Sequence, residues 1–213
     1  MKMDDSWYMD WLWKEATNQE KKVRDKIYEY SPMFGDMLFE SGTYSYDLLQ
    51  CEYLDRETGE WVKSKFPKYE ELEHFSYIFF RVKVEERENC NGYYNHKNQV
   101  ICISPKCVED KACILHEMIH LHESVINDLP LYLHDMLLWA LYRKLKAQIP
   151  KLDEIISDHA HILTGSTLYS QGGLHDILFL LKSFDLDIRN HYPLGTVFAY
   201  GRADDFKEYD YID

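Results

Sequence analysis

The chain has 213 residues, enough for one domain with a substantial core, and 46% hydrophobic and 15% aromatic content argues against a disordered chain. Its 24 basic residues stand against 37 acidic ones, and the net charge of −13 repels nucleic acid phosphates and anionic lipid surfaces. Five cysteines (Cys51, Cys90, Cys102, Cys107, Cys113), odd in number and without a C-x-x-C pair, indicate neither a disulfide framework nor a zinc ribbon and fit a reducing cytoplasm.

In chain order, the acidic, aromatic start MKMDDSWYMDW has no apolar h-region, and no window is apolar enough to span a bilayer, so neither a signal peptide nor a membrane span is expected. Residues 5–30 read as a long helix. Leu12, Ala16, Val23 and Ile27 form its stripe, Trp7 and Trp11 stack on it, and Ser31-Pro32 ends it. Strands follow between about 37 and 64, with a turn at 55–59. A stronger one lies at 76–85, where Ile78, Phe80, Val82 and Val84 alternate with polar residues. Gly92 to Ile103 reads as a hairpin. Beyond 107 the chain is helical, with helices expected near 107–126, 130–147, 151–163 and 173–186. The tail, 192–213, reads as extended or disordered. All of this is consistent with a single domain, 1–213, with a core at 76–148.

The chemistry concentrates at His116-Glu117-Met-Ile-His120. Residues four apart on a helix share a face, so His116 and His120 can present two imidazole nitrogens to one ion with Glu117 beside them. Neutral imidazoles suit Zn²⁺, an open coordination position holds water, and a nearby carboxylate can take that water's proton. Ile114, Leu115, Met118 and Ile119 give the run its apolar helical context, which separates it from a chance H-E-x-x-H.

A catalytic zinc site needs a third protein ligand. Consecutive helices with short loops pack antiparallel. His120 lies about 9 Å of rise before its helix ends and His134 about 6 Å into the returning one, at similar height. His134 therefore ranks first. Glu154, within the E-x-x-x-D run Glu154 to Asp158, ranks second, with His175 and His161 behind it. Asp158 falls level with His116 and is expected to accept the far N–H of a ligating imidazole. His122 lies about 200° around the helix from His120 and reads as structural or surface. Glu123 shares the His116 face but reads as an exposed acid, and His175 as a helix-start residue.

With these residues in hand, the chain resembles the zincin metallopeptidases, and among them the SprT-like group. The shared features are the hairpin Gly92 to Ile103, the His116-Glu117-Met-Ile-His120 motif, and His134 fourteen residues after the second His. The resemblance implies a zincin-like α+β fold: a small antiparallel sheet whose edge strand packs on the active-site helix, flanked by an N-terminal long helix and a helical C-terminal half. It further implies zinc held by His116, His120 and His134, Glu117 as general base, and a peptide substrate pairing along an edge strand at Gln99, Val100, Ile101, Cys102 and Ile103. The DNA-associated members of that group carry basic or zinc-ribbon segments. This chain has neither, so nucleic acid is not an expected partner. The short glutamate-ligand zincins are the second family reading.

The expected function is thus a cytoplasmic zinc-dependent peptidase acting on protein or peptide substrates. The alternative is a non-catalytic interaction protein held together by metal. A third expectation is self-restraint, in which the extended apolar segment Pro193 to Phe198 lies in the substrate groove.

Overall fold

The computed structural model describes residues 16–39, 52–54, 61–63, 80–86, 91–95, 100–126, 131–159, 175–199, 206 and 209–212, with backbone alone at 35–39, 52–54, 61–63, 125–126, 131–136 and 199. Over these the chain is mixed α+β. Helix α1 (Asn18–Phe39) precedes a two-stranded ribbon, β1 (Glu52–Leu54) and β2 (Trp61–Lys63). Strands β3 (Arg81–Val84), β4 (Gly92–Asn95) and β5 (Val100–Ile103) form a second sheet. Helices α2 (Lys111–Ile126), α3 (Leu131–Gln148), α4 (Leu152–Asp158), α5 (Ile177–Arg189) and α6 (Thr196–Ala199) complete the described chain.

Helix α1 begins with a reciprocal cap: Thr17 N–H donates to Glu20 Oε2 at 2.7 Å and Glu20 N–H to Thr17 Oγ1 at 3.2 Å. Its buried stripe is Val23, Ile27, Tyr30 and Phe34, continuing the expected Val23/Ile27 spacing. The expected stop at Ser31-Pro32 does not occur, and the helix carries Pro32 inside it. Proline removes the N–H that would bond the Tyr28 carbonyl, and the Ser31 hydroxyl donates to that carbonyl instead at 3.1 Å. The helix start, Leu12, Trp7 and Trp11 lie outside the described residues.

The β1–β2 hairpin is present, with Glu52 opposite Lys63 and Leu54 opposite Trp61. In the three-stranded sheet the order is β3-β5-β4. β4 and β5 pair antiparallel, as the hairpin reading expects, with Gly92 opposite Ile103. β3 pairs parallel to β5, so the sheet is mixed rather than antiparallel. The proposed edge strand is therefore corrected: Val100, Ile101, Cys102 and Ile103 form the central strand, hydrogen-bonded on both sides, and cannot take up a substrate strand. The sequence carries the reason, because Val100-Ile-Cys-Ile is continuously apolar, the mark of a strand covered on both faces. Gln99 lies outside the described residues.

A 3₁₀ turn at Pro105–Cys107 leads into α2, which starts at Lys111 because Asp110 Oδ1 caps it, accepting the Cys113 N–H at 3.1 Å. Lys22 and Lys26 of α1 both pair with Glu109 just before that cap. Every residue from Cys113 to Glu123 is buried, so α2 is a central helix enclosed on all sides rather than an amphipathic one. α1, β4, β5, α5 and α6 pack around it. α5 is almost as deeply enclosed, with Leu178 to Ile188 all buried and Asp176 capping its first turn by accepting the Phe179 N–H at 2.9 Å.

The tail departs most from expectation. Leu194, Val197, Phe198, Phe206 and Tyr209 belong to the core, and Thr196–Ala199 is helical. Gly195 takes φ +84°, and a Cβ there would lie 2.1 Å from the Phe206 ring, so the turn into α6 requires glycine. A segment built into the core is not the extended strand that the self-restraint reading expects. No described helix is long and apolar enough to cross a membrane. Cys102, Cys107 and Cys113 are buried.

Candidate metal centre

The α2 helix points three sets of side chains at three different walls. His116 and His120 face α5 and α6, Glu117 faces the sheet, and His122 faces α1, where its ring meets Phe34 at 5.5 Å between centroids. These directions follow from 100° of rotation per residue: 116 and 120 differ by 40°, whereas 117 and 122 lie well off that line.

Opposite His116 and His120, at the entry to α5, stands His175. One ligand atom from each of the three imidazoles lies within 4.8 Å of the others. The His116 and His175 Nε2 atoms are 3.1 Å apart. Two nitrogens bound to one tetrahedral zinc at about 2.0–2.1 Å are separated by roughly 3.3 Å, so this spacing already matches one edge of such a site. The Phe179 ring lies at 4.8, 4.6 and 4.6 Å from the three imidazoles and Phe198 at 5.6 Å from His175, forming an apolar rim.

The imidazoles are prepared as ligands. His116 Nδ1 lies 2.9 Å from the Val197 carbonyl oxygen, and because a carbonyl only accepts, Nδ1 carries the proton and Nε2 is left with its lone pair. Burial, and then the neighbouring His175, push the His116 imidazole down to about 3, and burial lowers His175 as well. Neutral imidazole is the form that ligates metal. Three neutral nitrogens in an apolar pocket suit zinc and also copper, iron or nickel.

Glu117 is 1% exposed, and its Oε2 has no hydrogen-bond partner among the described residues. Burial alone raises its carboxyl to about 8. Its carboxylate lies directly under Gly92 of β4, where a Cβ would stand 2.8 Å from Oε1. Glu123, read as an exposed acid, is instead buried on the His116 face. Its Oε1 lies 3.6 Å from the ammonium of Lys182, itself completely buried on α5. Burial pushes Glu123 up to about 8 and Lys182 down, each toward its neutral form.

The remaining expected site residues fall as follows. His134 is carried on α3, but its side chain lies outside the described residues, as does His161. His175 is the third member of the described cluster. Glu154 is removed from it: exposed in the first turn of α4, it pairs with Lys151 at 3.7 Å, and is no ligand here. Asp158 is also exposed and accepts from the Tyr209 hydroxyl at 3.2 Å, while the partner expected of it on His116 is the Val197 carbonyl. α4 is short and ends at Asp158, so counting rise along successive helices placed Asp158 too near the motif, while Glu154 was carried by its E-x-x-x-D pattern alone. His122, read as structural or surface, is buried against Phe34. The sequence signal for His175 was its place beside Asp176, a helix cap. The signal for Val197 was absent, because a backbone carbonyl leaves no trace in residue type.

Comparison with known protein families, characterised proteins and solved structures finds nothing that matches this chain.

Proposed function

We propose that the chain is a zinc-dependent peptidase of zincin type, with His116, His120 and His175 as ligands and Glu117 as general base. The observation that carries this is the convergence of the two motif histidines with a third buried imidazole, one of them held by a backbone carbonyl in the tautomer that ligates. Bound there, zinc would supply Lewis acidity toward a substrate carbonyl and lower the pKa of a water. Glu117, which lies under Gly92 on the sheet side of α2, is the group of this chain that would hold the proton, once a shift of α2 or the sheet lets its side chain turn to the histidine face. A carboxyl raised to about 8 by burial is poised both to take a proton and to give it back to a leaving amine near neutral pH. The substrate class, a protein or peptide, follows from the resemblance to the SprT-like group, and a cytoplasmic setting from the odd cysteine count without a C-x-x-C pair.

Zinc stoichiometry of the purified chain tests the site. One equivalent is expected, falling to none in His175→Ala. Loss in His134→Ala with retention in His175→Ala would return the third position to His134. Glu117→Gln should keep its zinc and lose peptide cleavage, and a Glu117→Gln chain that still cleaves would refute the mechanism.

One observation favours a second reading, metal as a structural staple in an interaction protein. His116 and His120 are 4% and 8% exposed beneath Phe179, which is closer to a closed structural site than to an open cleft. Under that reading chelation unfolds the chain, whereas a catalytic centre leaves it folded and inactive.

A further inference from the structure

We propose that Asp187 is a positioning residue for His116, acting through the C-terminal segment that it fastens to the centre. Asp187 lies in the last turn of α5, wholly buried. One oxygen accepts the Gly195 N–H at 2.8 Å and the other the Val197 N–H at 2.9 Å, so the carboxylate grips both ends of the turn that opens α6. The backbone carbonyl of Asp187 accepts in turn from Tyr192 N–H at 2.8 Å, closing the path between the two helices. Val197, held by its N–H, then offers its carbonyl to His116 Nδ1.

The chain of contacts is therefore carboxylate to backbone to imidazole, and it spans 81 residues between Val197 and His116. Its chemical consequence is a fixed tautomer. With Nδ1–H committed to the carbonyl, His116 Nε2 keeps its lone pair, and across the 3.1 Å gap His175 Nε2 is the donor in the metal-free molecule. Without the grip of Asp187, α6 has only apolar packing to set its height, and an imidazole that rotates or changes tautomer presents N–H instead of a lone pair to the ion.

This inference rests on His116 being a metal ligand, and the experiment separates the two ideas. Long-range ¹H–¹⁵N NMR of the histidine side chains in the metal-free full-length chain reads the tautomer directly. Cobalt(II) titration reads affinity and, by its visible absorption, the geometry. In the wild type His116 is expected as the Nδ1–H form. In Asp187→Asn the amide nitrogen opposes one of the two backbone N–H groups, so His116 is expected to show mixed tautomers and cobalt affinity to fall about 10- to 100-fold. Leu152→Ala, a core truncation in α4, serves as the control for general loss of stability and should leave both readouts unchanged. An Nε2–H wild-type His116 overturns the proposal, as does an Asp187→Asn chain with wild-type tautomer and affinity. If Asp187→Asn fails to fold, the wild-type tautomer still decides. A wild-type chain that shows the Nδ1–H form and binds no cobalt removes the metal reading, and mixed His116 tautomers in its Asp187→Asn variant still support the orientation by Asp187.

Discussion

Replacing Gly92 by alanine sets two opposing effects against each other, and the structure decides the sign. In a strand, alanine should gain about 0.5–1 kcal/mol over glycine by restricting the unfolded chain. Here the added Cβ would meet three atoms of one side chain, Glu117 Oε1 at 2.8 Å, Cγ at 3.0 Å and Cδ at 3.1 Å. Glu117 is enclosed in the core and has nowhere to retreat without moving α2 or the sheet, so overpacking of about 1–3 kcal/mol applies. The net expectation is a loss of about 0.5–2 kcal/mol, or roughly 1–8 °C in Tm for a chain of this length. Against a Glu117→Ala background the obstacle is gone, and the same Gly92→Ala change should become stabilising by about 0.5–1 kcal/mol. Thermal or urea denaturation of the four chains in this cycle measures the reversal as a coupling energy. An effect of the same sign and size in both backgrounds would refute the claim that Gly92 exists to accommodate Glu117.

Two further outcomes follow from the buried charges. Lys182→Met leaves the buried Glu123 carboxyl, already raised to about 8, without its polar partner and should cost about 1–3 kcal/mol in urea denaturation near neutral pH, whereas Glu123→Leu combined with Lys182→Met recovers most of it; a double variant less stable than the single contradicts this account. The metal-free chain should lose stability between pH 6.5 and 8. Glu117 and Glu123 have folded-state values raised to about 8, by burial in each case, so above the ordinary carboxylate range the unfolded chain has released protons that the fold still holds. Each such group contributes up to about 2 kcal/mol of loss across this window. The histidine effect runs the other way but acts at lower pH, since His116, depressed to about 3, destabilises only below its ordinary value near 6.5. Glu117→Gln should flatten the slope between pH 6.5 and 8, and an unchanged slope would show that its carboxyl is not raised.

What the sequence made legible was whatever acts through periodicity and capping. The alternation Phe80, Val82, Val84, the hairpin register of Gly92 to Ile103 and the α2 and α3 boundaries all follow from patterns a few residues long. What failed was placement between elements. Val100 to Ile103 has the composition of a central strand, but the family resemblance assigned it to an edge. Asp158 was placed by summing rise along helices, and α4 is too short for that sum to hold, whereas Glu154 was ranked by a local E-x-x-x-D pattern that says nothing of which way its side chain faces. The tail was misjudged because its Pro, Gly and acidic residues mark a loop by composition. The five buried apolar residues among them act only in three dimensions, with Phe206 and Tyr209 stacking on and edging His159. Glu123 was misjudged for the same reason, since its partner Lys182 is 59 residues away in sequence.

The geometry of α2 also bears on how the motif can work. An H-E-x-x-H helix exposed on one side would keep its glutamate on the rim of the cleft that the histidines line. This helix is enclosed on every side, and the 100° between residues 116 and 117 carries Glu117 under β4 while the imidazoles turn to α5 and α6. The histidine wall then depends on the C-terminal half for its third nitrogen and its tautomer. The glutamate wall depends on the sheet for the space that Gly92 leaves. A substitution on either wall is therefore expected to act separately: Asp187→Asn on metal affinity and Gly92→Ala on the glutamate. If the two combined show more than additive loss in metal affinity, the walls are coupled through α2 itself, and the helix moves as a unit when the site is occupied.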